Sequence, residues 1–257
     1  MSNIAQAFSN GKAFIGFVTG GDPNLKTCGD IILKMAEAGA DLIEIGIPFS
    51  DPIAEGPVIQ AANIRALSAG ADTDGIFSLV ETVREKTDVP LVFLTYLNPV
   101  YKYGYEAFFS RCAACGVDGI IIPDLPYEEK GELADIAAAH GVDLISLIAP
   151  TSEDRIRTIA SEARGFLYIV SSMGVTGVRS EIRTDLTSIL ETARSAATVP
   201  AAVGFGINTP EQARTISRLA DGVIVGSAIV KIVEQYGDQA AQPVYDYVKR
   251  MKDAIRD

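Results

Sequence analysis

Four segments of the chain close a helical stretch, turn on a small or acidic residue and enter a short apolar run. They are Ala38-Gly-Ala-Asp-Leu-Ile-Glu-Ile-Gly46, Cys115-Gly-Val-Asp-Gly-Ile-Ile-Ile-Pro123, His140-Gly-Val-Asp-Leu-Ile-Ser-Leu-Ile148 and Leu219-Ala-Asp-Gly-Val-Ile-Val-Gly226. Glycine in such a turn suits the left-handed residue that ends a helix. Phe14–Val18, Leu91–Tyr96, Phe166–Val170 and Ala201–Gly204 supply four more apolar runs, making eight, separated by segments of helical spacing. Eight βα units in about 250 residues predict a (β/α)8 TIM barrel, with the active site at the C-terminal ends of its strands. The expected organisation is one α/β domain over residues 1–257 with a short N-terminal helical segment. A doubly wound open sheet rarely needs eight such evenly spaced units.

At 48% hydrophobic and 21% charged, the 257 residues suit one complete core, and no Pro-, Ser- or Gly-rich stretch that loses periodicity marks a linker. The start, Met1-Ser-Asn-Ile-Ala-Gln-Ala-Phe8, lacks a basic region followed by an apolar block, and no apolar run approaches a membrane span, so a soluble cytoplasmic protein is expected. The formal charge of −11 argues against nucleic acid, whose binding draws on Lys and Arg, but leaves room for a small anionic ligand. Three cysteines, Cys28, Cys112 and Cys115, are too few and odd in number for a disulfide framework. Cys112-Ala-Ala-Cys115 has redox spacing but falls at the end of a predicted helix rather than its start, and reads as chance. His140 is the sole histidine, so no tetrahedral metal set can be assembled.

Glu44 is an acid inside the apolar run Asp41-Leu-Ile-Glu-Ile-Gly-Ile-Pro48. Burial disfavours the charged form, so a carboxyl there can hold a proton near neutral pH and exchange it with a substrate. A strand acid paired with a buried base or backbone donors is the other explanation. After the first four strands come Thr19-Gly-Gly-Asp-Pro23, Pro48-Phe-Ser-Asp-Pro-Ile-Ala-Glu-Gly-Pro57, Thr95-Tyr-Leu-Asn-Pro99 and Pro123-Asp-Leu-Pro126. Taken singly, each Pro and Gly is a turn former; jointly, acids and amides on four successive ends describe a polar mouth over an apolar barrel. The last three units carry Gly174-Val-Thr-Gly177, Gly204-Phe-Gly206 and Gly226-Ser227, the last followed by helical Ala-Ile-Val-Lys231. Glycines let backbone N–H groups approach an anion, and a helix N-terminus adds free donors, so this reads as a phosphate cradle. The ends of strands seven and eight carry no Lys or Arg, which leaves the binding to backbone donors.

Glu44-Ile-Gly-Ile-Pro-Phe-Ser-Asp-Pro52, Pro123-Asp-Leu-Pro126, Gly174-Val-Thr-Gly177, Gly204-Phe-Gly-Ile207 and Gly226-Ser-Ala-Ile-Val-Lys231 resemble the tryptophan synthase alpha-subunit family, from about Phe14 to Lys231. The first motif is nearly diagnostic; the glycine motifs are shared more widely among phosphate-binding barrels. The resemblance implies a carbon–carbon lyase of tryptophan biosynthesis that cleaves indole-3-glycerol phosphate to indole and glyceraldehyde 3-phosphate. It further implies delivery of indole to a beta subunit in an alpha-beta-beta-alpha heterotetramer, with pyridoxal phosphate only on that subunit and no cofactor in this chain. Cleavage requires a proton on the ring carbon and a group that favours positive character at the ring N–H. The resemblance assigns the first task to Glu44 and the second to Glu55, which stands where the family usually has Asp and is one methylene longer. It places Phe17, Tyr96 and Phe205 near the indole ring, Tyr168 near the site, and Gly177, Gly206, Gly226 and Ser227 on the phosphate. Ser171–Arg183 resembles a closing loop, with Thr176 meeting the acidic loop around Asp51.

Other functions fit less well. A Schiff-base aldolase would need a strand-borne Lys, and the eight strands as read contain none. A scaffold without catalysis would not need both Glu44 and Glu55. A stand-alone lyase that releases free indole is compatible with every motif. Pro52, Ile53, Pro57 and Val58 suit a partner surface if they face outward and ordinary loop packing if they turn in.

Overall fold

The computed structural model describes residues 2–170, 179–204 and 206–256. Its strands are β1 (Ala13–Thr19), β2 (Leu42–Gly46), β3 (Leu91–Leu94), β4 (Gly119–Ile121), β5 (Asp143–Leu144), β6 (Ser146–Ile148), β7 (Leu167–Val170), β8 (Ala201–Gly204) and β9 (Gly222–Val225). Helices alternate with them: α1 (Ile4–Ala7), α2 (Leu25–Glu37), α3 (Pro57–Ser68), α4 (Thr73–Arg84), α5 (Leu97–Tyr103), α6 (Tyr105–Cys115), α7 (Gly131–Ala139), α8 (Glu153–Ser161), α9 (Arg179–Ala196), α10 (Pro210–Ser217), α11 (Ser227–Tyr236) and α12 (Ala241–Asp253). The sheet runs β5-β4-β3-β2-β1-β9-β8-β7-β6, every pairing parallel.

The two ends of that order are consecutive in the chain. Only Ile145 separates β5 from β6, and its N–H still donates to Ile120 O at 2.9 Å, so the sheet closes through one residue. The expected eight strands are thus present, with the fifth divided in two. The division has a cause in the pairing: Asp143 and Leu144 are in register with β4, whereas Ser146–Ile148 are in register with β7.

Alternation along each strand sorts the core into two layers. Ala13, Ile15, Leu42, Val92, Ile121 and Ile224 fill the inside of the barrel, whereas Phe14, Ile43, Ile45, Phe93, Ile120 and Val223 face the helices. Ile4 and Ala7 of α1 join the inner cluster, so the expected N-terminal helix plugs the lower end of the barrel. A Cβ on Gly119 or Gly165 would come within 2.9 and 3.0 Å of Ile4 Cδ1, and glycine is what lets the plug seat.

The repeated turns work as their composition suggests. Gly39, Gly116 and Gly141 have φ of +98°, +81° and +72°, conformations that favour glycine. The aspartate of the unit has a part that periodicity does not reveal: it binds the start of the neighbouring strand. Asp41 Oδ2 accepts from Phe14 N–H at 2.6 Å, Asp118 Oδ2 from Leu91 N–H at 2.9 Å, and Asp221 Oδ2 from Ala201 N–H at 2.9 Å. Each ties β2, β4 or β9 to the strand beside it.

Cys112 and Cys115 are free and buried at the C-terminal end of α6, and desolvation raises both thiols, Cys115 to about 11. A thiol held that far from ionisation is a poor nucleophile, in keeping with chance spacing. Among the described residues, no helix is long and apolar enough to cross a membrane.

Candidate active site

Glu44 lies two residues beyond the inward-facing Leu42 on β2, and so points into the barrel, between Phe17 of β1 and Val92 of β3 in the register. It is 1% exposed, and its Oε1 finds no hydrogen-bond partner among the described residues. Loss of hydration with nothing to replace it raises the carboxyl pKa from 4.5 to about 8. No base or donor meets Oε1 among the described residues, and burial favours the protonated form, as an acid that exchanges a proton requires.

Two aromatic side chains, Tyr168 and Phe17, stand near it. Tyr168 on β7 joins the inner cluster, and a Cβ on Gly204 would sit 2.5 Å from its Oη, so β8 gives way to the phenol. Burial and then the nearby Glu44 carboxylate push the Tyr168 hydroxyl well above its ordinary value. Phe17 packs with Ala62 and Val230 under Val58, Ile59 and Leu94. Glycines make room here too, since a Cβ on Gly46 would reach 2.8 Å from the Phe17 ring and one on Gly226 3.4 Å.

The second acid sits in a polar arrangement of its own. Glu55 Oε2 accepts from Asn63 Nδ2 at 2.6 Å. Desolvation raises its pKa, while hydrogen bonds from Asn63 and Tyr96 pull the other way. Tyr96, 2% exposed, accepts from Ala54 N–H at 3.1 Å and lies 5.6 Å from the Phe49 ring, centroid to centroid. The loop after β2 is therefore fastened to the end of β3. Ile53 in that loop is 78% exposed, whereas Val58 at the start of α3 turns in against Phe17, so the apolar residues divide between outward and inward packing.

Helix α11 starts at Ser227 behind Gly226, with no side-chain cap among the described residues, which suits its first N–H groups to an anion. Gly206 has φ +75°, again a conformation that favours glycine. Thr176, Gly177 and Phe205 lie outside the described residues, as does 171–178 of the expected closing loop.

Two features escaped sequence reasoning. Asn63 is 4% exposed on the inner face of α3; the signal for it was an amide between Ala62 and Ala66, where an apolar stripe would continue. Buried Asp22, in the loop after β1, takes a two-pronged contact from Arg65 of α3, 2.9 Å from Nε and 2.8 Å from Nη2, while Arg65 Nη1 reaches Glu234 of α11 at 3.1 Å. Two cavities lie apart from Glu44. One of 420 Å³ opens beside the ends of β4 and β6, lined by Pro123, Leu125, Tyr127, Lys130 and Arg155 among others; one of 770 Å³ opens at the lower face, where Lys252 Nζ is taken up by Asp41 and the Lys12 carbonyl.

A closed parallel barrel with a buried acid pointing inward, its pKa raised by burial, and a helix start behind the last strand that no described side chain caps, defines a (β/α)8 barrel suited to proton-transfer chemistry. The comparisons make the class specific. The chain belongs to the tryptophan synthase alpha chain family, whose model matches residues 4–256. It is 51% identical over 256 residues to the tryptophan synthase alpha chain of Lactiplantibacillus plantarum, covering 99% of this chain and 97% of that one. With the alpha chain of Lacticaseibacillus casei the identity is 49% over 255 residues, covering 99% and 96%. Among solved structures, the tryptophan synthase subunit alpha of Legionella pneumophila superposes with a TM-score of 0.90 at 34% identity, covering 99% of this chain and 98% of that one. A chain from the tryptophan synthase a2b2 complex of Pyrococcus furiosus gives 0.88 at 36% identity, covering 95% and 99%.

Proposed function

We propose that the chain cleaves indole-3-glycerol phosphate to indole and glyceraldehyde 3-phosphate, with Glu44 as the acid and base. The observation that carries this reading is the buried inward carboxyl, its Oε1 without a partner among the described residues and its pKa raised by burial to about 8. Direct scission would expel a carbanion from the ring. Instead Glu44 gives its proton to the ring carbon that bears the side chain, and the ring nitrogen takes up the positive character. The Glu44 carboxylate then removes the proton from the side-chain hydroxyl. As the O–H electrons form the aldehyde C=O, the carbon–carbon bond breaks and its electron pair returns through the ring to nitrogen. Glu44 ends with the proton it began with, so the chemistry balances within one residue and the substrate.

Glu55 accepts the ring N–H and stabilises the positive character there. Phe17, Tyr96 and Phe205 flank the ring, Tyr168 borders Glu44, and Thr176 contacts the acid loop when the segment around it closes. Gly177, Gly206, Gly226 and Ser227 hold the phosphate through backbone N–H groups and the start of α11. Pyridoxal phosphate belongs to a beta subunit rather than to this chain. Ile53 and Tyr101, 78% and 70% exposed on the segments after β2 and β3, support a partner that covers this end of the barrel and receives indole.

Purified chain incubated with indole-3-glycerol phosphate should release indole, and faster when a beta subunit is added. Turnover that is unaffected by the beta subunit would favour a lyase acting alone. No indole under either condition would refute the reading.

A further inference from the structure

We infer that Asn63 is a positioning residue for the reaction, holding the Glu55 carboxylate at the orientation in which it meets the ring N–H. The inference rests on the cleavage proposed above and extends it to a residue on α3, outside the strands that carry the acid. Glu55 sits on a loop whose neighbours Ala54 and Gly56 are exposed, so backbone packing alone does not orient it. Two side chains from one face of α3 do: Gln60 Nε2 donates to the Glu55 carbonyl at 2.8 Å, and Asn63 Nδ2 donates to its carboxylate at 2.6 Å. Residues three apart lie on the same side of a helix, so loop and side chain are gripped from one surface.

The grip is itself anchored. Arg65, two residues further along α3, clasps Asp22 of the loop after β1 and reaches Glu234 on α11, which fixes α3 against the barrel. Asn63 is 4% exposed, so its amide finds no competing water of bulk solvent. A carboxylate accepts at both oxygens, so the Asn63 donor on Oε2, together with the Tyr96 hydroxyl, fixes the group and still leaves a lone pair for the substrate. A side chain as long as Glu carries more rotamers than Asp, and a fixed donor matters more for it. Loss of the donor would let the carboxylate swing, and small misplacements of a reacting group are costly.

The test is a double-mutant cycle on the full-length chain, assayed for indole formation from indole-3-glycerol phosphate. Asn63→Ala removes the donor; Asn63→Asp keeps the shape but turns an acceptor toward Glu55, and serves if the alanine variant unfolds. Both should lower kcat by roughly 10-fold or more and change KM by less than about threefold. In a Glu55→Gln background neither should lower kcat further by more than about twofold, because residues acting as one unit are not additive. A structural role for Asn63 would give the same loss in both backgrounds, and that result, or unchanged kcat in both single variants, would overturn the inference while leaving the proposed reaction intact. Unchanged kcat in Glu55→Gln alone would remove Glu55 from the chemistry and overturn the inference while the cleavage stands, whereas no indole from the native chain would refute the cleavage itself.

Discussion

Burial in the barrel raises the pKa of the Glu44 carboxyl to about 8, and this has a consequence for stability as well as for chemistry. The folded chain holds the proton to about pH 8, whereas an unfolded chain releases it near 4.5. Between those values the unfolded state binds fewer protons, so the Glu44 contribution to stability falls as pH rises through the window and levels off above about 8. Glu44→Gln removes the titration. Its stability relative to the native chain should therefore improve from pH 6 to pH 9, by on the order of a few kcal/mol. Denaturant unfolding of both chains at the two pH values measures this, and a gap that does not change with pH would contradict the assignment. Glu44 was legible in the sequence because an acid in an apolar strand has few explanations. Asn63 was not, since its burial and its partner Glu55 arise only when α3 packs against β1 and α11.

At the level of the elements, the recurring aspartate joins adjacent strands, and the joints differ in what they hold. Asp118 accepts from Leu91 N–H, from Asn3 N–H at 2.8 Å and from Arg84 Nη2 at 2.6 Å, with its side chain 5% exposed. Asp221 binds Ala201 N–H and Arg194 with its side chain 36% exposed. Removing a buried acid leaves its donors and cation unpaired, so Asp118→Ala should cost roughly 3–5 kcal/mol. Asp221→Ala should cost about 1 kcal/mol, because water replaces the lost carboxylate at an open site. Urea midpoints of the two variants decide the matter, and equal losses would contradict it. Strand periodicity and glycine turns revealed these units in advance. The break at Ile145 was not visible, because Asp143-Leu-Ile-Ser-Leu-Ile148 reads as one apolar run and the change of partner from β4 to β7 is a property of the closed ring.

Over the whole molecule, closure of the sheet brings β2, β3, β7 and β9 around one axis, although their residues are spread from Leu42 to Val225. That is what sets Glu44 beside Phe17 and near Tyr168, and what lets glycines on neighbouring strands make way for the rings. The barrel and its inward acid could be read from spacing and composition; the tethering of Glu55 and the Asp22–Arg65 clasp depend on contacts between loops and helices distant in sequence, for which one chain carries little local signal. The account turns on one group, the proton on Glu44. The direct measurement is turnover of indole-3-glycerol phosphate by Glu44→Gln, with folding verified by an unchanged circular dichroism spectrum. Glutamine keeps the volume and loses the proton, so kcat should fall by roughly 10²-fold or more, whereas a kcat within about threefold of the native chain would contradict the account.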